Sequence, residues 1–110
     1  EKAIRYFGVD RSTRVKSETV EFTCQVNETV VDFTELLFGN TVIYQHRNGE
    51  GSYPIGDSKY SVVLDEARSE FKLTVKNLTM ADAAFPYQCR VLTSDFVGIL
   101  ESDERTIKVL

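Results

Sequence analysis

At 110 residues the chain can hold one hydrophobic core and is too short for two. Its 13 basic against 17 acidic side chains leave a net charge of −4, and no basic cluster is present to displace counterions from a phosphate backbone, so nucleic acid is not an expected partner. No apolar run approaches the length of a membrane-spanning helix, and Glu1-Lys-Ala-Ile-Arg5 lacks the apolar heart of a secretory leader, so the expectation is a trimmed piece that neither spans a membrane nor carries its own signal.

Short apolar/polar alternations separated by turn residues run through nearly the whole sequence, and no helical stripe persists for three turns; the class is all-β, with about eight or nine strands. Residues 3–9 and 14–16 form a split edge strand, followed by 19–26, where Val20, Phe22, Cys24 and Val26 share one face. Residues 27–40 read as a loop whose apolar members plug the core. Residues 41–47 then enter a hairpin at Asn48-Gly49, both of which tolerate positive φ. Further strands follow at 52–55, 60–64, 70–76, 86–92 and 106–110, with one helical turn at Met80–Ala83.

The two cysteines, Cys24 and Cys89, each sit in a strand of alternating pattern, which favours a disulfide over free thiols and with it an oxidising compartment. A bridge closing so long a loop restricts the unfolded chain by roughly 4 kcal/mol in the entropy model. The sequons Asn27-Glu-Thr29 and Asn77-Leu-Thr79 agree with secretion and mark Asn27 and Asn77 as glycan candidates.

From Lys59 onward the chain resembles a V-type immunoglobulin domain. Leu73, Val75, Leu78 and Asp82 fall on the family's spacing before the second cysteine, Lys59-Tyr-Ser61 is similar to its Arg-Phe-Ser, and Tyr87 stands two residues before Cys89. The resemblance implies a two-sheet antiparallel Greek-key sandwich with one intersheet disulfide, a Lys59–Asp82 pair at one corner, and Tyr87 as the tyrosine-corner residue. Three departures stand out. The chain has no Trp, and aligning Tyr44 with the aromatic that follows the family's Trp puts Ile43 in the vacant slot, with Phe33, Leu36 or Leu37 filling the volume. One extra residue before Tyr87, together with Pro86, predicts a bulge there. The last strand lacks the Gly-x-Gly of antigen-receptor domains, which argues against an antibody or T-cell receptor chain. These departures resemble invertebrate members of the superfamily, the cnidarian allorecognition receptors among them.

With Ile43 and Cys89 buried, alternation turns Val42, Tyr44 and His46 outward beside Gln88, Arg90 and Leu92, a mixture enriched at interface centres. Against this stands the reading that Val42 and Leu92 are ordinary scattered surface apolars. The segment 94–102 carries Phe96 and Val97 at an apolar tip, either a contact site or the inward-packed end of a longer hairpin. Asp103 and Glu104 offer too few converging oxygens for calcium, and no metal or cofactor site is expected.

Catalysis has little to stand on: His46 is the single histidine, the cysteines are paired with each other, and no phosphate loop or nucleophile elbow occurs. The sequence therefore points to a non-enzymatic recognition or adhesion module, a single V-like domain spanning residues 1–110 and membrane-distal in a longer ectodomain. The resemblance implies homophilic binding in self/non-self recognition, with a like domain on an apposed cell as partner. It places the module outside the plasma membrane in a single-pass receptor, or secreted. The alternatives are a heterophilic immune or ligand receptor and a structural spacer.

Overall fold

Strict alternation gives the first central strand one dry face. Val20, Phe22, Cys24 and Val26 are all buried on β3 (Val20–Val26), and the residues between them are half-exposed. The same logic forms β8 (Glu70–Val75), which buries Phe71, Leu73 and Val75, and β9 (Tyr87–Thr93), which buries Tyr87, Cys89, Val91 and Thr93. In the computed structural model, which describes residues 2–94 and 98–110, these strands belong to two sheets facing each other across the Cys24–Cys89 disulfide.

One sheet has the order β1-β3-β8-β7, with β1 at Ile4–Val9 and β7 at Tyr60–Asp65, every neighbour antiparallel. The other has the order β10-β9-β4-β5-β6, built from β4 (Val31–Phe38), β5 (Thr41–Arg47), β6 (Glu50–Ser52) and β10 (Ile99–Glu101). The split edge strand divides between partners: β1 lies on β3, whereas β2 (Thr13–Arg14) leaves that sheet and pairs in parallel with β11 (Lys108–Val109). The fold is an all-β antiparallel sandwich with one intersheet bridge.

Two expectations about local structure fail for identifiable reasons. Residues 31–38, read as part of a loop, form a central strand instead. Its run Leu36-Leu37-Phe38 hides the alternation, because Leu37 is buried (3% exposed) although it belongs to the outer face. The bulge expected at Pro86 is absent: β9 pairs with β4 in regular register from Tyr87/Phe38 to Leu92/Phe33, and the extra residue is taken up in the corner, where the Pro86 carbonyl accepts from Gly39 N at 2.8 Å. An extra residue lies just beyond β10 instead. Three residues, Ser102, Asp103 and Glu104, face two on β9 between the Glu101/Arg90 and Arg105/Tyr87 pairs. Ser102 fastens it, its amide donating to the Cys89 carbonyl (2.8 Å) and its hydroxyl accepting from the Cys89 amide (2.9 Å).

The space that a Trp would fill is shared. Leu36 stands beside Cys89 in register, Phe71 beside Cys24, and Tyr44 beyond Leu36 reaches across to Phe71 with ring centroids 6.2 Å apart. Ile43, placed in that slot from sequence, is fully buried one strand farther out, while Leu36 adjoins the bridge. At the opposite end Phe7, Phe22, Tyr87 and Phe38 form a chain of ring contacts at 5.9, 4.4 and 4.9 Å. The Tyr87 hydroxyl donates to the Asp82 carbonyl at 2.8 Å, and burial pushes that phenol far above its ordinary range, so it remains a donor. Asp82 is itself buried. Its carboxylate accepts from the Thr79 amide at 2.8 Å and pairs with Lys59 Nζ at 2.6 Å.

Candidate functional site: the outer face of the five-stranded sheet

Side chains that β4, β5, β9 and β10 turn away from the core meet on one open face. Pairing puts Phe33 between Arg47 and Leu92, Glu35 between Gln45 and Arg90, and Leu37 between Val42 and Gln88; Ile99 and Glu101 of β10 extend the rows past Leu92 and Arg90. At the centre Glu35, only 8% exposed, accepts from Arg90 Nε at 2.7 Å and Nη2 at 2.6 Å and from Gln45 Nε2 at 3.2 Å. The short charge-assisted contacts tie the guanidinium to the Glu35 carboxylate. Beside it the Arg47 guanidinium covers the Phe33 ring at 4.4 Å. Phe33, Arg47, Leu92 and Ile99 border a shallow depression of about 280 Å³ floored by the Glu35–Arg90 pair. Ile99 is 63% exposed. The face thus offers apolar groups, two guanidinium groups and little flexible lysine, a composition suited to close contact with another protein.

Of the residues assigned to this face from sequence, Val42, Gln88, Arg90 and Leu92 lie on it, all half-exposed. Gln88 is tied down, donating from Nε2 to the Ser102 carbonyl at 3.0 Å. Tyr44 and His46 do not lie on it. The β4–β5 ladder passes from Leu36/Tyr44 to Leu37/Val42, leaving Ile43 as an extra residue, and this bulge reverses the alternation that would have turned both side chains outward. Tyr44 is 5% exposed and packs edge-on against Tyr53 at 5.2 Å; His46 meets Phe71 edge-on at 5.0 Å. Burial raises the Tyr44 phenol above its usual range and lowers the His46 imidazole, the latter partly opposed by the Glu66 carboxylate. Phe96 and Val97 lie outside the described residues. Sequence reasoning missed Glu35, Gln45 and Arg47, and it gave Phe33 to the core, whereas pairing with Arg47 and Leu92 puts Phe33 on the outer face. The signal was present for Phe33 and Glu35 in the alternation Val31, Phe33, Glu35 against Thr34 and Leu36.

The two sequons differ. Asn77 is exposed in a left-handed turn (φ 49°), whereas Asn27 is 1% exposed, with its amide nitrogen buried and unpartnered and its side-chain oxygen bound by the Thr29 amide and hydroxyl. Asn27 is thus part of the turn that closes the end of β3, and its burial counts against it as a glycan acceptor. Among the described residues no group of His, Cys, Asp or Glu converges as a metal site, and no helix is long and apolar enough to cross a membrane.

No family model matches the chain, and no curated protein matches it. Among solved structures, a crystal structure of the RIG-5 IG1 homodimer superposes with a TM-score of 0.77 at 19% sequence identity, covering 98% of this chain and 96% of that one. The fold is that of a V-like immunoglobulin domain. In such a domain the bridge between β3 and β9, the tyrosine corner at Tyr87 and the five-stranded sheet ending at β6 are the expected frame. The outer face laid over that frame has the Glu35–Arg90 pair at its middle.

Proposed function

We propose that this V-like domain is an extracellular recognition and adhesion module, not a catalyst, and that it binds a like domain through the outer face of the five-stranded sheet. The observation that carries the reading is the depression bordered by Phe33, Arg47, Leu92 and Ile99 over the fixed Glu35–Arg90 pair, where apolar and guanidinium groups lie open on a rigid strand platform. The structurally similar RIG-5 IG1 domain is a homodimer, which supports self-association as the mode to test first. The disulfide suits an oxidising compartment and so supports an extracellular domain; its place as the membrane-distal module of a single-pass receptor is part of the proposal. In that setting homophilic contacts serve self/non-self recognition between cells. A weak contact, near 800 Å² per partner, gains avidity when many copies face one another.

Sedimentation of the glycosylated domain from about 1 to 500 μM, a range suited to weak transient interfaces, tests this. Wild-type protein is expected to dimerise, and Ile99→Asp and Leu92→Asp, each at the surface of an intact sheet, are expected to remain monomeric. A wild-type monomer at every concentration overturns the homophilic reading and leaves a heterophilic receptor.

A further inference from the structure

A second opening lies away from the outer face, between the two sheets at the end of the sandwich where β3 finishes and β8 begins. It encloses about 290 Å³. Val26, Val31, Leu64 and Phe71 make an apolar floor drawn from both sheets, and His46 and Thr34 form one wall. The rim carries three exposed carboxylates, Glu28, Asp32 and Glu66, and no Lys or Arg is among the residues lining the crevice. Glu28 accepts from the Ser69 hydroxyl at 2.5 Å and is attracted by Arg5 on β1. Among the described residues no ion pair engages Asp32 or Glu66. Two carboxylates without an ion-pair partner among the described residues therefore stand at the mouth of an apolar, water-accessible slot, where low-dielectric walls strengthen their field. The carboxylates do not converge closely enough to hold a metal ion. What complements this arrangement is a larger cation with an apolar body, its stem against Phe71 and Leu64 and its charge at the rim.

We propose that the crevice is an organic-cation site that seats one alkylammonium or guanidinium group carried on a stem of a few methylenes, the chemistry of a lysine or arginine side chain. The volume is at the lower limit of ligand pockets, so it admits a single such group and not a folded segment. The site does not depend on the self-association proposed above, because none of its lining residues borders the depression of the outer face.

The test is an amide-shift titration at about pH 7.5, where His46 is neutral, with n-pentylammonium as probe and 1-pentanol as its uncharged counterpart. For a guest of so few atoms the expected dissociation constant is of the order of millimolar. Saturable shifts at Val31, Leu64, Ser69 and Phe71 are expected. Affinity should be at least roughly fivefold lower for 1-pentanol and for the Asp32→Asn/Glu66→Gln double variant, a charge effect of about 1 kcal/mol. The Leu92→Asp variant should bind n-pentylammonium as the wild type does, whatever its oligomeric state. An acetyl-Gly-Lys-Gly-amide arm separates the sources: shifts at the same residues assign the guest to a protein side chain, and binding of the free amine alone assigns it to a small molecule. Absence of saturation up to roughly 50 mM, equal binding of 1-pentanol, or unchanged affinity in the double variant overturns the proposal. If the double variant does not fold, the amine/alcohol comparison decides.

Discussion

Glu35 on β4 holds Arg90 on β9 by two contacts of 2.7 and 2.6 Å in the middle of the open sheet face, and the two members of the pair are unequally buried. The Glu35 side chain is 11% exposed and that of Arg90 27%. Removing Arg90 leaves a carboxylate with only Gln45 for company, whereas removing the charge of Glu35 leaves a guanidinium that can turn to water. Arg90→Met is therefore expected to cost about 2 kcal/mol and Glu35→Gln less than about 1, both figures reduced for partial solvent screening. Thermal unfolding checks the order, since each kcal/mol moves the midpoint by roughly 4 to 8 °C in a domain of this size. An equal or reversed order would show that the pair is not organised around the buried carboxylate.

The readable part of this fold was wherever burial is one-sided. On β3, β8 and β9 every second residue is buried, so the cysteine strands could be named from period two, whereas Leu78, beyond the end of β8, was placed with Leu73 and Val75 only by the resemblance to V-type domains. The Asn48-Gly49 turn was equally legible, both residues adopting positive φ of 53° and 78°. The site was harder because its strands break the pattern. β4 buries four consecutive residues, Thr34 to Leu37, since Leu37 is covered on the outer face as well, and the extra residue at Ile43 reverses the parity of β5. Parity carried past a bulge assigns every later side chain to the wrong face, which is how Tyr44 and His46 came to be placed outside and Gln45 and Arg47 overlooked. Nothing in the local sequence marks that bulge. It is set by how β5 fits onto β4, a relationship between strands.

Tyr44 depends on a glycine one strand away. Its ring lies over Gly51 of β6, so closely that a Cβ added there would fall 2.8 Å from Cζ and 2.9 Å from Cε1. Tyr44 cannot swing aside freely, because it is buried against Tyr53 and Phe71. Gly51→Ala is expected to cost about 1 to 3 kcal/mol through overpacking. In a Tyr44→Leu background the same change should cost at least about 1 kcal/mol less, because the conflicting ring is gone. Denaturant unfolding of the four proteins closes the cycle, and additive effects would refute a direct clash.

Of the two sequon asparagines only Asn77 is exposed. Asn77 projects from an exposed turn whose carbonyl already accepts from Lys59 Nζ at 2.7 Å, leaving its side chain available. A glycan on Asn27 would have to pull a buried amide out of the turn that its oxygen organises for Thr29. Protein secreted from a glycosylating host is expected to lose its glycan mass with Asn77→Gln, while folded wild-type protein carries none at Asn27 by peptide mapping. Folded material occupied at Asn27 would contradict the burial.

His46 makes stability depend on pH. Its Nδ1 lies 3.3 Å from the Tyr44 hydroxyl and its ring meets Phe71, with Glu66, Glu28 and Asp32 around the same crevice. Burial lowers its pKa below the ordinary 6.5, and Glu66 only partly offsets this. Between the ordinary and the lowered value the unfolded chain binds a proton that the folded domain resists, so stability is full above 6.5, falls as pH drops through that window, and levels off beneath the folded value. Thermal midpoints at about pH 7.5 and pH 5 should therefore differ more for the wild type than for His46→Gln, which keeps a polar side chain and cannot titrate. Identical pH slopes in the two proteins would place the titration elsewhere, in the carboxylates. The two effects also couple in a definite direction: a protonated His46 puts positive charge into the wall of the crevice, so n-pentylammonium affinity should fall between about pH 7.5 and pH 5 in the wild type more than in His46→Gln.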